Sequence, residues 1–163
     1  MIPGNQSPHD DTVSDMPQAA IFPSLPDTME PDLARLKAYW DDLKRGGNEM
    51  PFADDVDLSK VPLLAPHIIL LNAFENPERF RFEFVGEQVE SRYGSAPRGK
   101  FSDELAEHAP LEGLTAQCSA TIARRAPTYY RSEATAKNAK AVTRLLLPTW
   151  GEGHIAMLLG AVA

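Results

Sequence analysis

The sequence predicts an α+β domain built on one antiparallel sheet, and three observations carry that prediction. The first is Arg79-Phe80-Arg81-Phe82-Glu83-Phe84, which alternates strictly between charge and phenylalanine. Three rings on one side and three charges on the other describe a half-buried strand. The second is the apolar run Ile68 to Phe74 just before it, joined through the turn signal Asn76-Pro77, which makes the two an antiparallel hairpin. The third is the order of the remaining segments. A helical block follows the hairpin, and three strand-like runs close the chain. Strands separated by helices in this way form an antiparallel sheet covered by helices on one face. Five strands are expected, near 68–74, 79–85, 128–133, 142–148 and 154–162. The long connection between the second and the third must cross the sheet.

The elements follow in order. Residues 1–30 hold Pro3, Pro8, Pro17, Pro23 and Pro26 among polar and acidic groups. Such a segment buries too little apolar surface to offset its ordering entropy, so it reads as a disordered acidic tail. Ile21, Phe22 and Leu25 are its one apolar cluster. The domain then spans 31–163 and begins with a helix over 31–45. Pro31 suits the first helical position, where its missing N–H costs nothing, and Gly46-Gly47 stop the helix. Asp57 or Ser59 caps a short turn ending near Leu64, and Gly86 closes the second strand before a short helix, Glu87 to Tyr93. Ser102 and Asp103 cap a further short helix carrying Leu105. Pro110 opens a longer one to Arg125, with Leu111, Leu114, Cys118 and Ile122 on one face, and Pro127 ends it. A polar turn at Lys137-Asn138 and another at Gly151-Glu152-Gly153 separate the last three strands.

Bulk properties exclude several classes. The net charge is −7, and residues 1–30 supply −5 of it through Asp10, Asp11, Asp15, Asp27 and Glu30. The densest basic pairs are Lys44-Arg45 and Arg124-Arg125. Phosphate binding needs clustered cations, so no nucleic-acid partner is expected. One cysteine, Cys118, neither staples a fold nor builds a multi-cysteine metal site, and it suits a reducing compartment. The N-terminus shows no basic region followed by an apolar run, and Ile155 to Ala163 is too short to span a bilayer. A cytoplasmic protein without membrane insertion is expected.

The stretch FRFEFVGEQVESRYGSAPRGKFSDEL, Phe80 to Leu105, resembles the PAS pattern of a strand, a short helix, a glycine and a Gly-Lys before the next helix. The wider run from Trp40 through LKRGG, PFADDVDLSKVPLLAPHIILLNAF and RLLLPTWGEG is similar to one branch, a stand-alone PAS family found mainly in alphaproteobacteria. The resemblance covers 31–163 and implies the PAS fold: a five-stranded antiparallel sheet with helices on one face and an N-terminal flanking helix. Relatives carry a basic residue two places after Pro51 and a second proline near 58; this chain has Ala53 and Leu58 there. PAS domains sense small ligands, carry cofactors or mediate protein contacts, and the fold does not choose among these.

The residues narrow the choice. Light-sensing relatives place a reactive cysteine in an Asn-Cys-Arg motif, and the matching region, Lys100 to Leu105, has none. Cys118 sits on an apolar helix face, where an inert buried thiol is the default. Haem ligation needs one histidine on the pocket wall. His108 lies in the right part of the chain, but Ala106 to Pro110 reads as a polar helix end; His9, His67 and His154 have no metal-ligand spacing. No Gly-x-Ser-x-Gly elbow, phosphate loop or His-Glu-x-x-His occurs, Arg98-Gly99-Lys100 is a turn, and Asp54, Asp55 and Asp57 read as a solvated loop. No cofactor and no catalysis are expected. The nominated ligand-pocket residues are Phe82, Phe84, Leu105, Leu114, Cys118, Ile122, Tyr130, Leu146 and Met157, with Tyr129 or Tyr130 as the polar handle.

Two readings remain in front, with a third behind them. One is a regulatory module that docks on signalling proteins. The chain ends directly after the last strand, so on this reading any signal leaves through contacts. The other is a sensor with a small molecule in the pocket. An isomerase-type enzyme on a curved sheet needs a buried acid, which the inward positions do not offer. A homodimer is expected through helix 31–45, where Leu33, Leu36, Tyr39, Trp40 and Leu43 form a narrow stripe whose exposure would cost about 25 cal/mol per Å².

Overall fold

The structure, a computed structural model, describes residues 19–22, 24–134 and 140–163. The turn expected at Lys137-Asn138, His9 and the first 18 residues of the tail lie outside the described residues. Six strands, β1 (Ala19–Phe22), β2 (Ile68–Phe74), β3 (Arg79–Val85), β4 (Thr128–Ser132), β5 (Val142–Gly151) and β6 (His154–Val162), form one sheet. Its order is β1-β4-β5-β6-β2-β3, and every neighbouring pair is antiparallel. Among the described residues three helices accompany it: α1 (Pro31–Leu43), α2 (Glu87–Tyr93) and α3 (Leu114–Arg124). The chain does cross the sheet between β3, at one edge, and β4, near the other.

Strand number and layering both correct the expectation. The sixth strand comes from the segment read as tail: Ala19–Phe22 pairs along β4 from Ala19↔Ser132 to Phe22↔Tyr129. Four residues suffice because the partner strand already offers an ordered row of backbone groups. The helices lie on both faces, not one. Arg144 of β5 reaches Gln117 of α3, whereas Tyr129, opposite its neighbour Leu145, donates to Glu30 at the start of α1. Successive strand residues point to opposite faces, so α1 and α3 flank the sheet from two sides. This explains the burial patterns. The first four residues of β2 and the first eight of β5 are buried without alternation, because both of their faces are covered.

Helix α1 packs on the sheet of its own chain. Leu33, Leu36 and Trp40 are at most 2% exposed, and the Trp40 indole N–H donates to the Pro148 carbonyl at 2.8 Å. The exposed Leu and Trp row that argued for a two-fold interface is therefore absent. Tyr39 and Leu43, at the margin of the stripe, remain half-buried. Tyr39 is tied to the next loop, donating to the Asp57 carbonyl at 3.1 Å and accepting from the Asp57 N–H at 2.9 Å.

Local chemistry sets the remaining boundaries. Strand β5 continues three residues past its expected end although it contains Pro148. Strand β4 stops opposite Leu146, so the missing N–H of Pro148 faces a side with no ladder. On that side the Trp40 indole takes the Pro148 carbonyl, and the Trp150 N–H donates to the Pro51 carbonyl at 2.9 Å. Helix α3 begins at Leu114 instead of Pro110, after Gly113 at φ 69°. A left-handed residue there breaks the helix that Pro110 was expected to open.

Candidate functional site

The space between α3 and the sheet is where the sequence placed a ligand pocket. Strand alternation and register bring Phe82, Tyr130 and Leu146 to this side, facing Leu114 and Cys118 of α3. All five are buried, at 4% exposure or less. Leu105 and Ile122 pack against the same core at its margin, half-buried. Leu105 follows a single 3-10 turn, Ser102–Glu104.

Two nominated residues belong elsewhere. The register slips between Leu70 and Leu71, so Leu71 opposes Phe82 but Leu70 opposes Phe84. Glu83 is the extra residue of a bulge, and a one-residue slip sends Phe84 to the α1 face. Met157 opposes Asn72 and Thr149, while Leu158 and Gly160 take the α3 side. Gly160 matters there: a Cβ would come within 2.5 Å of the Leu146 side chain and 2.8 Å of the Leu145 carbonyl.

The centre of the α3 side is polar. Arg144 is fully buried. Its Nε donates to Gln117 Oε1 at 2.7 Å, and its two terminal nitrogens donate to the carbonyls of Pro110 and Glu112, both at 2.9 Å. Those carbonyls are available because residues 110–113 are not helical. The guanidinium lies 4.2 Å from the centre of the Tyr130 ring, a cation–π contact. Gln117 returns its N–H groups to the Arg144 carbonyl at 3.1 Å and to the Thr128 hydroxyl at 3.2 Å. Thr121 Oγ1 shares a 2.7 Å hydrogen bond with the Thr128 hydroxyl and donates to the Gln117 carbonyl at 2.9 Å. The buried face of α3 is thus Leu114, Gln117, Cys118 and Thr121, half of it polar.

Electrostatics follow from burial. Desolvation pushes the Arg144 guanidinium below its ordinary range, partly opposed by Tyr130, Cys118, Glu112 and Glu107. Desolvation and then the Glu112 charge raise Tyr130. One Glu112 carboxylate oxygen is buried without a hydrogen-bond partner. Burial pushes the Cys118 thiol up to about 12, the opposite of an activated nucleophile.

The other candidates are spent on structure. His108 is exposed and stacks on Tyr93 with ring centres 4.3 Å apart, and His67 Nε2 lies 3.8 Å from an Asp32 carboxylate oxygen. Asp55 takes both arms of Arg45, at 2.9 and 2.7 Å, and the Asp57 carboxylate caps Ser59. Each carboxyl is thereby held below its usual range, Asp55 chiefly by Arg45 and Asp57 chiefly by Ser59. Arg98 to Phe101 closes the outer edge of β3, where Gly99 N–H and Lys100 carbonyl pair with Phe82. Among the described residues no three His, Cys, Asp or Glu side chains converge as metal ligands, and no helix is long and apolar enough to cross a membrane.

A surface cleft of about 500 Å³ opens at the far end of the sheet, between the 74–78 turn, the end of α3 and the β5–β6 turn. Phe74, Phe80, Ile122, Trp150 and Ile155 give it an apolar floor, with Glu78, Arg125 and His154 at the wall. Arg125 lies 5.0 Å from the centre of the Trp150 ring and pairs with Glu49 at 3.2 Å.

Compared with known proteins, the chain matches no family model, no curated protein and no solved structure.

Sequence reasoning missed Arg144, Gln117, Thr121 and Thr128. One signal was present. Arg144 interrupts the apolar run Val142 to Leu147 at a position sharing its face with Leu146. A charge inside a strand buried on both faces has to find partners.

Proposed function

We propose that this chain is a non-catalytic regulatory PAS domain that makes protein–protein contacts in bacterial signalling. The order of elements from β2 to β6, with its crossing connection, supports the PAS reading, to which β1 is an addition. The observation that carries the functional reading is the occupied interior. Where a PAS ligand would lie, Arg144, Gln117, Thr121 and Thr128 fill the space and bond one another. A ligand entering there has to break charge-assisted hydrogen bonds in a buried site, which costs on the order of 3–5 kcal/mol. On this reading signals are passed through surfaces.

The test is native mass spectrometry on protein purified from its host. The expected result is a complex with a second protein and no retained small molecule. A small molecule retained at one per chain, and lost on substitution of Arg144 or Gln117, would overturn the reading in favour of a ligand sensor.

A further inference from the structure

The two edges of the sheet are closed in different ways. At β3 the cover is built in: Phe82 exchanges hydrogen bonds with Gly99 and Lys100, at 2.8 and 2.9 Å, and Arg98 Nε donates to the Glu83 carbonyl at 3.1 Å. At β4 the cover, among the described residues, is β1. Its four residues lie opposite Ser132, Arg131, Tyr130 and Tyr129. It buries little in return. Ala20 is exposed, Ile21 half-buried and Phe22 38% exposed. Ile21 packs at the margin of the core, and the Phe22 ring stacks on Tyr129 with centres 5.7 Å apart. Residues 23–30, with Pro23 and Pro26, separate β1 from α1.

An edge ladder reads backbone, which any extended segment supplies; side chains then select by fitting alternate positions. Here the Tyr129 ring sets that selection, because an aromatic residue opposite it stacks. A short, half-exposed strand is also the part of a sheet that opens at least cost. We infer that β1 is an internal occupant of a strand-addition site on β4. A partner protein's extended segment, with an aliphatic residue followed by an aromatic in the register of Ile21 and Phe22, displaces it. This rests on the reading of the chain as a protein-contact module and names the surface and the chemistry of the partner.

The test uses the full chain and a fluorescein-labelled peptide of its own residues 17–24 as the probe. A tethered competitor on a short linker acts at roughly millimolar effective concentration. The wild type therefore binds the peptide weakly. Phe22→Asp, which unseats β1, binds it at least about tenfold more tightly, and amide exchange slows at 128–132 on binding. If Phe22→Asp loses its fold, Ala20→Pro takes its place, since Ala20, opposite Arg131, turns its N–H to the β4 ladder and proline removes it. Equal or weaker binding by a folded variant would overturn the inference, since the peptide then adds outside β1 or binds elsewhere. No binding by the folded variant would overturn it too. Host-purified protein lacking any partner bears only on the broader reading and leaves the peptide result standing.

Discussion

On the α1 side of the sheet, Leu33, Leu36 and Trp40 cover the face that carries Leu145, Leu147 and Leu159, all at most 2% exposed. One indole hydrogen bond, to Pro148, fixes the helix in place. On the α3 side, the same strand presents Arg144 to Gln117, and two threonines complete the set. Both sides are buried and both belong to β5, yet they hold together for different reasons. The apolar side is stabilised by area removed from water, which is non-directional and tolerant of shape. The polar side depends on every member finding its partner, so its stability is conditional. One sheet thus carries a forgiving face and an exacting one.

The sharpest break in that comparison is Arg144→Ala. It leaves Gln117 Oε1 and the carbonyls of Pro110 and Glu112 without donors and opens a void under α3. The expected loss is about 3–5 kcal/mol in urea unfolding. A loss below about 1 kcal/mol would show that the network fills space without holding the fold.

A matched pair of substitutions sharpens it further. Methionine replaces Leu36 and Gln117 at nearly constant volume, one change on each face. Leu36→Met is expected to cost less than about 1.5 kcal/mol, as volume-conserving apolar swaps do. Gln117→Met removes the acceptor of the Arg144 Nε and leaves a buried charge short of a partner. Its cost is expected at about 2–3 kcal/mol. Equal losses from the two variants, by denaturant midpoint at unchanged slope, would erase the distinction between the faces.

The same distinction decides how much the sequence disclosed. The apolar side was legible because periodicity reports area: Leu33, Leu36 and Trp40 at helical spacing are the residues that α1 buries. What periodicity does not report is which surface receives the stripe, and the receiving surface is the chain's own sheet. Five strands were legible from alternation and turn signals. The sixth was not, because Ala19–Phe22 is ordered by the edge of β4, a partner more than a hundred residues away, and not by its own composition. The site was half legible. Phe82, Leu114, Cys118, Tyr130 and Leu146 meet as expected, whereas the bulge at Glu83 redirects Phe84 and the register of β6 redirects Met157. A rule that ranks inward positions by hydrophobicity also passes over Gln117 and Thr121, which α3 buries as fully as Leu114.

The smallest expected effect lies where the two kinds of packing meet. Cys118 is fully buried beside the Arg144 cluster, and burial outweighs the pull of the Arg144 cation, leaving the thiol at about 12 against 9.0 for a free cysteine. The folded state therefore binds the thiol proton more tightly than the unfolded chain does. This contribution is fully present below pH 9 and is lost as the pH climbs from 9.0 towards 12. At pH 10 the loss is roughly 1 kcal/mol. Lysines and tyrosines titrate in the same range, so the diagnostic quantity is a difference between proteins. Urea midpoints at pH 7 and pH 10 are expected to fall further apart in the wild type than in Cys118→Ala. Iodoacetamide at pH 8 is expected to modify Cys118 only in urea-unfolded protein. Alkylation of the folded protein at the rate of a free cysteine would mean that water reaches the interior beside Arg144. A site open to water there admits small molecules as well, and the case for a signal carried by surfaces alone would fall with it.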